Sequence, residues 1–227
     1  MYINNKGLDY YNAKLLNRDI FPSSFEVDVF WSKNSLTPKI DKDIKRKYKK
    51  MIVGIEFKGT DSEIGINKSR LISDISISKI RFKTLNNSYD GYVVAIDNAS
   101  KVKGYEVMSI EMNVLESENE NIVEFKDDIK LILNNTETTP CVLELNPTMN
   151  LVDVKITGLG EDIIIKNLTK DKKIVIDGEK GLVIEDGLNK WKDYDSWSFP
   201  KLIPGENNIN INKASINAKL KYKARWI

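Results

Sequence analysis

Along most of this chain, apolar and polar residues alternate with a period of two. One segment breaks that rhythm and repeats every three to four residues. The alternation is cleanest near the end, where Ile216, Ala218, Leu220 and Tyr222 face one way and Asn217, Lys219, Lys221 and Lys223 the other. This pattern predicts an antiparallel strand with one dry and one wet face. Before it, Asn207–Asn212 predicts a short strand with Ile209 and Ile211 together, entered through a Pro204-Gly205 turn, with Phe199 and Leu202 as apolar anchors around Pro200. Closing residues Trp226 and Ile227 read as pinned into a sheet rather than frayed.

The first third is also strand-rich. Phe25, Val27, Val29 and Trp31 alternate with Glu26, Asp28 and Phe30, which predicts a half-buried strand. Phe30 falls on its wet face, so it either lies under a loop or marks a partner surface. Met51–Lys58 predicts a strand with Val53, Ile55 and Phe57 inward. The one helix follows. Thr60 and Glu63 have capping-box spacing, in which each side chain satisfies an orphan backbone N–H of the first turn. Ile64, Leu71, Ile72 and Ile75 then share a helical face, and Gly65 weakens the helix by about 1 kcal/mol relative to alanine. A strand through Ile80 and Phe82 comes next, then a hairpin turn read at Asp90-Gly91, and a strand with Met108, Ile110, Met112 and Val114 on one face.

Residues 116–128 are polar and acidic apart from Ile122, Val123 and Phe125, and are the expected boundary. The expected domains are 1–122 and 123–227. Beyond the boundary come Ile129–Leu133, Cys141–Leu145, Leu151–Ile156, Ile163–Ile165, Ile174–Ile176, Leu182–Ile184, Ile209–Ile211 and Ile216–Tyr222, punctuated by Asn146-Pro147, Gly158, Asp177-Gly178 and Asp186-Gly187. Short strands without a helix signal predict an antiparallel β-sandwich. The expected fold is therefore mainly β, with one short helix in the first domain.

Composition narrows the function. With 30% charged and 41% apolar residues in a chain of 227, a globular protein with two modest cores is expected. A net charge of +2 gives no support to general nucleic-acid or membrane binding. No apolar run approaches the roughly 20 residues of a membrane helix, and the first residues lack a signal-peptide pattern, so synthesis and retention in a cytoplasm are expected. The charge run Lys39–Lys50 holds seven basic and two acidic residues. It reads as a solvated loop or as a contact with an acidic neighbour or passing DNA, although Tyr48 is its only aromatic.

Chemistry is scarce. There is no histidine, which removes the usual general base and the commonest zinc ligand, and the single Cys141 reads as a small buried hydrophobe. No phosphate-binding glycine loop or nucleophile elbow occurs. Asp193 and Asp195 lie between Trp191 and Trp197, the residue types of a glycoside hydrolase or a sugar-binding cleft, though also of a polar loop between packing tryptophans. Asp61 and Glu63 suit the helix N-terminus, and Asp177 and Asp186 suit turns. No catalytic, cofactor or metal site is assembled from these residues.

The segment FPKLIPGENNI (199–209), the ending at Arg225-Trp226-Ile227 and the opening MYINNKGLDYYNAKLLNRDIFPSSFEVDVFW (1–31) resemble the distal tail protein (Dit) family of long-tailed phages infecting Gram-positive bacteria. The resemblance implies an N-terminal β-rich belt domain with one helix, which forms a ring, and a C-terminal galectin-like sandwich. It implies a structural, non-enzymatic virion protein without cofactors, assembled in the bacterial host cytoplasm. This would be a homo-hexameric hub joining the tail tube protein to the tail-associated (Tal-like) and receptor-binding proteins, with DNA only passing through the lumen. The chain is short for the family, which implies no large inserted carbohydrate-binding modules. Sugar-binding galectins read galactosides with a histidine, so that site does not carry over. The alternative function is a carbohydrate-binding module for host cell-wall glycans, using the Trp191–Trp197 region.

Overall fold

The computed structural model describes residues 1–40 and 45–226. They fall into two compact units, Met1–Ser117 and Glu118–Trp226. Residues 41–44 of the basic run lie outside the described residues.

The first unit runs β1 (Tyr2–Ile3), β2 (Lys6–Gly7), β3 (Ala13–Glu26), β4 (Val29–Phe30), β5 (Lys39–Ile40), β6 (Lys45–Lys58), α1 (Asp61–Ile75), β7 (Ile77–Arg81), β8 (Ser88–Val102) and β9 (Tyr105–Ser117). An antiparallel sheet takes the order β2-β1-β7-β8-β9-β6-β3, and β4 pairs only with β5. Its centre is the β6–β9 ladder, where Met51 sits opposite Met112, Val53 opposite Ile110 and Ile55 opposite Met108. All six side chains are fully buried, as are Phe57 and Val114, so the period-two pattern of both strands becomes one dry face.

Helix α1 joins this core through Ile64, Leu71 and Ile75, alongside Ile3 and Tyr11. Ile72 is only partly buried. At about 100° per residue it sits roughly 80° round the helix from Ile64, at the margin of the apolar stripe. The capping box forms as expected: Glu63 N–H donates to Thr60 Oγ1 at 3.3 Å, and Thr60 N–H donates to Glu63 Oε2 at 2.8 Å. Asp90-Gly91 is not a turn. Both residues lie inside β8, between Ser78-Lys79 of β7 and Val114-Leu115 of β9. A Cβ on Gly91 would stand 2.1 Å from the Asn113 carbonyl oxygen, so this glycine allows close strand approach rather than chain reversal. The β8–β9 reversal is instead at Gly104, with φ +81°.

The second unit runs β10 (Asn121–Phe125), β11 (Asp128–Leu133), β12 (Thr139–Pro147), β13 (Val154–Thr157), β14 (Ile163–Ile165), β15 (Ile174–Asp177), β16 (Leu182–Glu185), β17 (Leu188–Asn189), β18 (Tyr194–Asp195), β19 (Lys201–Leu202), β20 (Gly205–Ile211) and β21 (Ile216–Tyr222). Two antiparallel sheets, β10-β21-β12-β15-β16-β17 and β11-β20-β13-β14-β18, enclose a core including Leu143, Leu145, Ile156, Ile163, Ile209 and Leu220. This is a β-sandwich.

Two local readings change here. The stretch 116–128 is not a bare linker, because Asn121–Phe125 forms a strand on the last long strand, β21. Backbone pairing supplies there what a weak apolar pattern does not signal. Strand β21 is consequently internal, held by β10 on one side and β12 on the other. Asn146-Pro147 does not break the chain either; it ends β12, with Pro147 opposite Ile216. Asp186-Gly187 does turn, with φ +47° and +84°, the two left-handed residues that a two-residue hairpin requires.

Candidate functional site

Two surfaces present side chains that the cores leave unused. The first lies on the first unit between Phe25 and Ile40. Phe25, Val27, Val29 and Trp31 were expected to form a dry face, but all four are exposed, as are Phe30 (77%) and Leu36 (97%). The cause is topological. Strand β3 leaves the sheet at Glu26, and among the described residues the continuation finds only the two-residue β5 as partner. A ribbon that short has no second layer, so alternation cannot produce burial. Val29, Phe30, Lys39 and Ile40 line one open groove of this ribbon. Among the described residues, no loop lies over Phe30.

The second surface lies on the sandwich. A 3₁₀ turn over Trp191–Asp193 brings Trp191 and Tyr194 to one side, since three residues complete a turn. Their ring centroids are 5.5 Å apart, and Phe199 stacks at 5.6 Å from both. The Trp191 backbone N–H donates to Asn189 Oδ1 at 2.8 Å, and the Tyr194 hydroxyl donates to the Ser198 carbonyl at 2.5 Å. Trp191 remains half-exposed and Trp197 is fully exposed. Sequence reasoning singled out the two tryptophans, read Phe199 only as an apolar anchor and missed Tyr194. The signal was the three-residue spacing of aromatics before a Pro. Trp197 was expected to pack and does not.

The acids between the tryptophans are each occupied. Asp193 accepts from Asn167 Nδ2 at 2.9 Å and lies 3.2 Å from Lys190 Nζ; the Asn167 hydrogen bond leads in holding its carboxyl below the usual range. Asp195 pairs with Lys166 at 2.9 Å. Lys190, itself buried, also reaches Glu185 at 3.0 Å. These contacts tie β16, β18 and the 3₁₀ turn together, and the two carboxylates do not share a reacting centre.

Elsewhere, Glu116 gathers Lys49, Asn87 and Tyr89. Burial pushes its pKa up, but those hydrogen bonds and the lysine charge outweigh it and the net shift is downward. Glu144 behaves alike between Lys173 and Lys221, at 2.8 and 2.6 Å. Cys141 is buried, and desolvation pushes its thiol far up, which suppresses the reactive thiolate. Among the described residues, no group of three or more His, Cys, Asp or Glu could hold a metal ion.

The fold has clear counterparts. The chain matches the Dit protein (gp 19.1) of SPP1, described as a paradigm of hub adsorption apparatus in Gram-positive infecting phages, with a TM-score of 0.78 at 8% identity. That match covers 100% of this chain and 98% of the other. Two structures of the phage P2 baseplate in its activated conformation, with calcium and with strontium, match at TM-score 0.52 and 11% identity, covering 95% and 92%. These define the class: a mainly β protein with one helix and the Dit fold. By sequence, residues 134–226 match the family described as siphovirus-type tail component, C-terminal domain. Through that domain the chain is similar to siphovirus-type tail components, in line with the resemblance to the Dit family at its two ends. No curated protein matches the chain by sequence.

Proposed function

We propose that this protein is the hub at the distal end of a phage or prophage tail, a structural and non-enzymatic part of the virion. Six copies form a ring through residues 1–122, and the sandwich of residues 123–227 is not needed for the ring contact. The ring joins the tail tube protein to the tail-associated and receptor-binding proteins, and DNA passes through its lumen. The observation that carries this reading is the end-to-end likeness to SPP1 Dit, which covers 100% of this chain and 98% of that one. Its physical support is the segment from Phe25 to Ile40, whose exposed apolar side chains suit a contact between subunits. A ring uses one surface against a different one on the next copy and closes by rotation.

Light scattering and negative-stain microscopy test it. At micromolar concentration the full chain should run as a hexamer, or as stacked hexamers, and appear annular. A fragment beginning at Glu118 should be monomeric. A full chain that stays monomeric when mixed with the tail tube and tail-associated proteins overturns the hub reading.

A further inference from the structure

The geometry points to a saccharide-binding site on the sandwich, built on Trp191 and Trp197 and continued by the cleft beside Phe199. This goes beyond the hub reading and does not rest on it. The Trp191 ring is backed on the protein side by Phe199, with ring planes 30° apart, and by Tyr194, at 32°. Those two lie within 18° of each other. Three near-parallel rings, with the Trp191 backbone fixed by Asn189 and the Tyr194 ring by the Ser198 carbonyl, present the Trp191 indole as a flat platform that water still reaches. Trp197, fully exposed, adds a second indole that no core contact requires.

A preset aromatic face suits a ring ligand that can lay an apolar side against it at little entropic loss. The surroundings decide what the rest of that ligand must be. The platform is flanked by Lys166, Asn167, Asp193 and Asp195, and these already hydrogen-bond one another. An apolar protein surface docking here would cover charged groups without new partners, which disfavours it. A pyranose chain instead carries hydroxyls all round each ring.

Phe199 also lines a neighbouring cleft of about 390 Å³, within the range of small-molecule sites at roughly 300–1,000 Å³. The cleft offers donors and acceptors of both signs in Glu179, Lys201 and Arg225. Ser198 lines it as well, and its Oγ is buried without a hydrogen-bond partner. Mixed signs favour neutral or N-acetylated sugars over a polyanion.

The test passes the full-length protein over immobilised gluco-, galacto- and N-acetylhexosamine oligosaccharides. Retention on at least one series is expected, with saturable quenching of tryptophan fluorescence by the same soluble hexasaccharide. Trp197→Ala should weaken binding at least tenfold without changing the melting temperature, because that side chain makes no packing contact. Trp191→Ala should weaken binding as much, with a lower melting temperature because it also removes the stack on Tyr194 and Phe199, and Trp191→Phe should restore most of the affinity. Trp31→Ala, in the other unit, should bind as the parent does. Failure to bind any series overturns the site, and so does binding that survives both alanine variants. Loss of a tail-protein contact in Trp197→Ala, with no sugar bound by the parent, assigns the face to protein docking instead. Ring formation can fail or succeed independently, because it is read from the hexamer.

Discussion

Replacing Phe30 and Leu36 together by serine separates assembly from folding. Both side chains are largely in solvent, at 77% and 97% exposure, so the subunit itself gives up almost no packing. Surface changes of this kind usually stay within about 0.5 kcal/mol. In a ring contact the position reverses, because burying a large apolar side chain contributes about 1.5–3 kcal/mol. Two of them give roughly 3–6 kcal/mol per contact, or about two to four decades in the association constant. Ordering the ribbon and desolvating its polar rim consume part of that gain, so the lower half of the range is expected. In a closed ring all contacts weaken at once. Sedimentation at micromolar concentration, run beside thermal melting, should show a hexameric parent and a mainly monomeric variant with matching melting temperatures. An unaltered hexamer would remove this segment from the ring contact. A large fall in melting temperature would show that these side chains belong to a core, and the topological reasoning about the ribbon would fail.

Leu220→Ala, in a strand paired on both sides, should destabilise the sandwich by about 2–5 kcal/mol in urea unfolding, whereas an edge position would cost less. Gly65→Ala should raise stability by up to about 1 kcal/mol, since the added methyl meets nothing within 4 Å; a lower melting temperature would mean that the helix face at Gly65 is covered. Glu116 and Glu144 both titrate below their ordinary value of 4.5 in the folded chain. Their contribution is therefore complete above about pH 4.5 and is lost as pH falls through the lowered folded values. The urea midpoint should drop on that side, and Glu116→Gln and Glu144→Gln should each flatten the drop.

Much of the fold was legible because it rests on local periodicity. Met51 to Phe57 and Met108 to Val114 alternate cleanly, and burial followed the alternation residue by residue. The capping box at Thr60 is satisfied within four residues, so no distant contact can overrule it. Asp186-Gly187 likewise meets a backbone requirement of its own two residues. The readings that changed all depend on distant partners. Gly91 looks like a turn residue until β7 and β9 are seen to run against it on both sides. Asn121–Phe125 carries too little apolar signal to declare itself a strand, and β21 supplies its ladder from about a hundred residues away.

The candidate surfaces show the same division. Sequence by itself determined that aromatic and acidic residues cluster around position 193 and that hydrophobes alternate after Phe25. Only the tertiary structure decided that Tyr194 and Phe199 back Trp191 while Trp197 stands in solvent, and that lysines 166 and 190 take up the two acids. It also decided that the alternation after Phe25 faces water on both sides. Periodicity states which residues can share a face; whether that face is dry depends on a second layer, which the chain supplies to β6 and β9 and withholds from β4 and β5.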